Sequence, residues 1–185
     1  ADAKRAMGFF SAAEGLYAKV VGAARGAAES AMRAEAALGS ASGLRALGKT
    51  AAASRRLSLA RAAARSAGLS GFDARLALEE ALVLRAAERY APAVSRLRPL
   101  LAGALRRRAY DEAAFLLWAI GGARRFQGRL AEAEDAFRRS LRLARRAGDP
   151  AGQGYALFGI GGAARVRGDL SGSERAYGKA GRLFA

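Results

Sequence analysis

Five arginines, Arg5, Arg45, Arg85, Arg125 and Arg165, follow one another at intervals of forty residues without an exception. A guanidinium presents a planar fork of donors that holds carboxylates or phosphates through paired hydrogen bonds. Such a column is suited to an acidic peptide or to a phosphate backbone. Phe115 and Trp118 precede Arg125, and Tyr155 and Phe158 precede Arg165, at the same forty-residue offset. Trp118 and Arg125 are seven residues apart, so they share one stripe of a helix. Gly122 and Gly162 lie between ring and cation and leave a notch. An aromatic beside a notch and an arginine makes an anchor pocket, because Trp, Tyr and Arg dominate interface energetics.

Each of these features also has a plainer reading. Repeats copy one another, so a solvated arginine persists without a role, and rings at helical spacing pack neighbouring repeats together. Arg165 has Asp169 four residues on and Arg85 has Glu88 three residues on, both at pairing distance along a helix. Arg45 and Arg125 have no acidic residue at those distances, which favours a binding role for the column. Phe126, Phe137 and Tyr177 read as core.

Other chemistry is largely excluded. The chain holds no cysteine and no histidine, which removes disulfides, thiolate and imidazole metal sites and every nucleophile–histidine triad. Gly159-Ile160-Gly161 imitates part of a dinucleotide fingerprint, but that motif needs a preceding strand. The small residues there serve close helix approach instead. Glu132, Glu134 and Asp135 cluster at a helix start, where carboxylates favour the dipole, and read as a solvated cap. The expectation is a protein that is not an enzyme and carries no cofactor and no metal.

The elements that position the arginines follow from the same period. Leu117-Trp118-Ala119-Ile120-Gly121-Gly122-Ala123 aligns with Leu157-Phe158-Gly159-Ile160-Gly161-Gly162-Ala163. The columns Gly8, Gly48, Glu88, Gly128, Gly168 and Tyr17, Leu57, Leu97, Phe137, Tyr177 carry the register along the chain. Alanine and arginine are strong helix formers, and a β fold would need more Val, Ile, Thr and Tyr. Each period reads as two helices, the first ending near a glycine that takes the left-handed C-cap conformation. The second stops at Ala147-Gly148-Asp149-Pro150. Turns this short make neighbours antiparallel, and one pair is too small a core to stand alone. The fold class is all-α, a solenoid of stacked antiparallel helix pairs. It forms a single repeat domain over 1–185, with units of roughly 1–27, 28–68, 69–108, 109–148 and 149–185.

Leu117-x2-Ile120-Gly121 with Ala133-x3-Phe137, and Leu157-x2-Ile160-Gly161 with Ser173-x3-Tyr177, resemble the tetratricopeptide repeat in its longer variety, with Gly148-Asp149 between units. The family's first-helix tyrosine is Arg124 or Ala164 here, and its closing proline is missing. The resemblance implies a right-handed superhelix whose concave face, lined by the first helices, grips a peptide or a partner helix. It also implies that the arginine column faces that groove. Packed helices lie roughly 8–10 Å apart and an extended peptide advances about 3.3 Å per residue, so each rung would meet every third residue or so.

The formal charge of +16 suits an acidic partner, nucleic acid or an anionic surface. Much of the 52% hydrophobic content is alanine, which buries little area, and richness in Ala, Arg and Gly is also what a GC-rich, bacterial-type genome produces. No apolar run approaches the ~18 residues of a membrane span, and the expected location is cytoplasmic, with periplasm equally compatible with the lack of cysteine. The functional expectation is a protein–protein interaction scaffold that holds an acidic peptide or partner helix in an arginine-lined groove. The alternatives are phosphate-backbone binding of nucleic acid, and the sensor or regulatory part of a larger regulator. Leu183-Phe184 arrives without a polar cap, so the expectation includes an excerpt of a longer array, or self-association through the solenoid ends.

Overall fold

The structure is a computed structural model and describes residues 1–24, 26 and 29–184. The expected unit boundary between residues 27 and 28 lies outside the described residues. The helices are α1 (Asp2–Ala6), α2 (Phe10–Ala23), α3 (Ser30–Ala46), α4 (Thr50–Ser66), α5 (Phe72–Ala86), α6 (Tyr90–Arg106), α7 (Tyr110–Phe126), α8 (Leu130–Ala147), α9 (Pro150–Val166) and α10 (Leu170–Phe184). No strand occurs among the described residues. Within Ala1–Arg89 and within Tyr90–Ala185 consecutive helices pack as antiparallel pairs, so each is an all-α set of helix pairs. The chain divides into these two compact units.

The forty-residue period is a backbone period as much as a side-chain one. Gly8, Gly48, Gly128 and Gly168 all have φ between 73° and 87°, and Glu88, which replaces glycine in the same column, has φ of 59°. Gly68 and Gly148, with φ of 62° and 65°, are matched by Arg108 at 57°. At each turn the left-handed residue donates to a carbonyl three residues back, and the next N–H reaches five back, as in Gly48 N to Arg45 O at 3.0 Å and Lys49 N to Leu44 O at 2.9 Å. The same pair of bonds closes the helices at Arg85, Arg125 and Arg165. This Schellman closure satisfies carbonyls that would otherwise be orphaned. The turn after α8 adds a start signal: Asp149 accepts a hydrogen bond from Gly152 N at 2.9 Å, and Pro150 fills the first helical position. Pro99 lies inside α6 and the helix runs through it, although the carbonyl of Ser95 loses its donor.

Helix contact is set by large residues meeting very small ones. Phe137 of α8 is 2% exposed. A Cβ at Gly121 of α7 would lie 2.8 Å from its ring, and one at Gly159 of α9 would lie 2.5 Å from Phe137 Cε1. The ring therefore occupies space that two glycines leave free. Tyr17 meets Gly39 in the same relation, twenty-two residues apart, with a built Cβ 2.5 Å from the ring. The glycines first noticed as a false nucleotide motif thus permit close approach.

Candidate functional site

The five column arginines share one local cause. Each lies in the last turn of a first helix, where a cation offsets the partial negative charge of unsatisfied carbonyls by ~0.3–1 kcal/mol. What they do beyond that differs between the two units.

In the N-terminal unit the column is engaged within the protein. Arg5 donates to the Tyr17 hydroxyl at 3.3 Å and pairs with Asp2 at 3.5 Å. Tyr17 in turn donates to Asp2 at 2.5 Å, which holds the Asp2 carboxyl below its ordinary range. Arg45 was expected to lack a partner, but its Nε meets Glu79 Oε1 at 2.6 Å, and it also donates to Ser42 at 3.3 Å. Glu79 comes from α5, thirty-four residues away, and is 9% exposed. It stands in the column Gly39, Glu79, Ala119, Gly159, so a carboxylate among small residues was the available signal. Arg85 is half-buried. At the positions that carry Phe115 and Tyr155 further on, this unit has Glu35 and Arg75, joined by two hydrogen bonds of 2.5 and 2.8 Å. The Glu35 contact raises the Arg75 pKa.

The C-terminal unit presents the opposite character. Here α7 packs directly on α9, and their rings form a row. Phe115 lies 5.7 Å from Trp118, Trp118 5.8 Å from Tyr155, and Tyr155 5.3 Å from Phe184 in an edge contact. Phe158 lies 5.0 Å from Tyr177. Phe115, Tyr155 and Phe158 remain 41%, 54% and 58% exposed. Trp118 is half-buried and packs on the Phe137 cluster, so it belongs both to the core and to the ring row.

Arg125 lies beside the Gly162 notch, with its Cζ 3.8 Å from where a Cβ would stand, and over the Phe126 ring at 4.5 Å. Arg165 is exposed. Its expected partner Asp169 instead accepts from Gly172 N at 2.8 Å and pairs with Arg167 at 3.7 Å. Neither Arg125 nor Arg165 meets a carboxylate among the described residues. Phe126, expected in the core, is 59% exposed and stacks on Tyr90 at 5.5 Å. It lies in the last turn of its helix, beyond the reach of the packed layer. Tyr177 is half-buried.

The acidic cluster is more than a solvated cap. Glu134 is held by both Arg138 and Arg167, and the Arg167 hydrogen bond is the largest of the influences that lower its pKa. Among the described residues no group of His, Cys, Asp and Glu is placed to hold a metal ion, and no helix is long and apolar enough to cross a membrane.

No family model matches the chain, and no curated protein matches it. Among solved structures it is similar to BtubC (BKLC) from P. vanneervenii, with a TM-score of 0.70 over 98% of this chain and 76% of that one. At 18% identity the likeness is one of fold.

Proposed function

We propose that the chain is a tetratricopeptide-like interaction module that takes an acidic peptide segment with a large apolar side chain on the α7–α9 face. One contrast carries the reading. Phe115, Trp118, Tyr155 and Phe158 stand with carboxylate-free Arg125 and Arg165, whereas in the N-terminal unit Glu35 and Arg75, at the positions of Phe115 and Tyr155, pair with each other, and Arg5 and Arg45 meet Asp2 and Glu79. Groups already paired offer a partner little, because an existing bond must break for each new one. Carboxylate-free guanidiniums beside exposed rings offer both parts of a binding hot spot.

The rival reading, binding to a phosphate backbone, draws on the charge and on the exposed rings. Base stacking uses open ring faces, and here Phe115, Trp118 and Tyr155 lie against one another. Apolar side chains fit such a row better than bases do.

The test is selection of peptides from a random display library, followed by titration through the fluorescence of Trp118, the sole tryptophan. Selected peptides should combine Asp or Glu with a large apolar residue. Arg125→Glu with Arg165→Glu should weaken binding tenfold or more, whereas Arg142→Glu with Arg145→Glu on the exposed face of α8 should not. Equal loss in both variants would reduce the effect to net charge and refute the site. Tighter binding of an oligonucleotide, with affinity falling steeply with salt, would establish the rival.

A further inference from the structure

A second feature lies between α6 and α8, with α7 as its floor, on residues that the proposed peptide site does not use. Arg124 occupies a column whose other members are Lys4, Leu44, Leu84 and Ala164. Leu44 and Ala164 are buried there, and Arg124 is itself only 6% exposed. Its Nε lies 3.4 Å from Glu132 Oε2. Its two terminal nitrogens make no hydrogen bond among the described residues. A guanidinium carries five N–H donors, and none of the Arg124 nitrogens is among the enclosed unpartnered side-chain atoms, so this end of an otherwise buried side chain opens into the space beside it.

Arg124 lines a cavity of about 500 Å³ together with Arg98, Arg139, Glu132, Asp135 and an apolar wall that includes Leu101, Leu117 and Ile120. The local charges do not cancel. Asp135 is paired with Arg139 at 3.7 Å, and Glu132 is also held by Arg129. Four guanidiniums, those of Arg98, Arg124, Arg129 and Arg139, stand against two carboxylates, with Arg98 at the exposed rim and Arg124, which shares Glu132 with Arg129, at the floor.

We propose that this cavity binds a small organic phosphate monoester, its dianion held between Arg98 and Arg124 and its apolar body against Leu101, Leu117 and Ile120. Two guanidiniums match a dianion in charge and in bidentate geometry. The cavity is larger than a phosphate group, and the apolar wall gives the remainder of the ligand a place to lie. The site is independent of the peptide-binding reading.

Calorimetric titration with phenyl phosphate, inorganic phosphate and acetate at matched ionic strength tests it. Phenyl phosphate should bind saturably and more tightly than inorganic phosphate, with acetate weakest. Arg124→Leu restores the residue found at positions 44 and 84 and should fold, with binding weakened at least tenfold. Arg98→Gln, at an exposed position, should weaken binding without altering the circular dichroism. The proposal is overturned if phenyl phosphate shows no saturable binding, if acetate matches it, or if either variant binds it with unchanged affinity.

Discussion

Placing alanine at Gly159 tests whether aromatic size and glycine are matched across the helix interface. The new Cβ would lie 2.5 Å from Phe137 Cε1 and 2.8 Å from Cγ, and the ring is 2% exposed with little room to retreat. Overpacking a filled core costs ~1–3 kcal/mol, and contact with three ring atoms places this case near the upper end. Alanine also gains ~0.5–1 kcal/mol over glycine inside a helix. The net expectation is a loss of about 2 kcal/mol. In a Phe137→Leu background the clash is gone, because Leu is what stands at positions 57 and 97 of the same column. There Gly159→Ala should stabilise by ~0.5–1 kcal/mol, giving a coupling of roughly 2–3 kcal/mol. Urea unfolding followed by Trp118 fluorescence reports on this region, since Trp118 packs on the Phe137 cluster. Gly181→Ala, where a Cβ meets nothing within 4 Å, is the control and should stabilise in either background. If Gly159→Ala has the same sign in both backgrounds, the interlocking account is wrong.

Three further outcomes follow from the geometry. Glu88 and Arg108 sit at φ of 59° and 57°, where a side chain costs ~1–2 kcal/mol; Glu88→Gly and Arg108→Gly should each raise stability by about 0.5–1 kcal/mol in thermal unfolding, after glycine's own entropy is subtracted. Truncating Glu79 to Ala leaves Arg45 half-buried without its carboxylate and should cost ~1–3 kcal/mol, discounted from a fully buried pair because Arg45 reaches solvent, whereas Glu79→Leu with Arg45→Met should recover most of that loss in urea unfolding. Arg167 and Arg138 hold Glu134 below its ordinary 4.5, so the folded state takes up this proton less readily than the unfolded one. The stability that Glu134 contributes is therefore present above about 4.5 and lost as pH falls through its lowered value, and Glu134→Gln should flatten the stability profile across that acid range.

The forty-residue register, the helical class and the places where helices stop are local properties, and they are legible residue by residue. Gly48, Gly128 and Gly168 mark left-handed turns because glycine alone adopts that backbone without strain, and Gly148-Asp149-Pro150 joins a stop, a cap and a start in three letters. The same periodicity extends the turn to Glu88 and Arg108, where the residue type would not have announced it. Phe115, Trp118 and Tyr155 form one row because three-residue and forty-residue spacings carry them to facing sides of α7 and α9, and Phe158 repeats the Trp118 position against Tyr177.

Partnership was decided elsewhere. Nothing within a helical turn of Arg45 foretells Glu79, and Asp169, which neighbours Arg165 in sequence, faces the next turn and Arg167 instead. Ion pairs form between side chains that packing brings from different helices, so a uniform column in sequence becomes engaged groups in one unit and two carboxylate-free cations in the other. Arg124 shows the same division: its column identifies an apolar position, but only the tertiary structure places its charged end at a cavity. What the arginine column became is thus settled by three-dimensional packing, while its existence and its place at the ends of the first helices were written in the period of the chain.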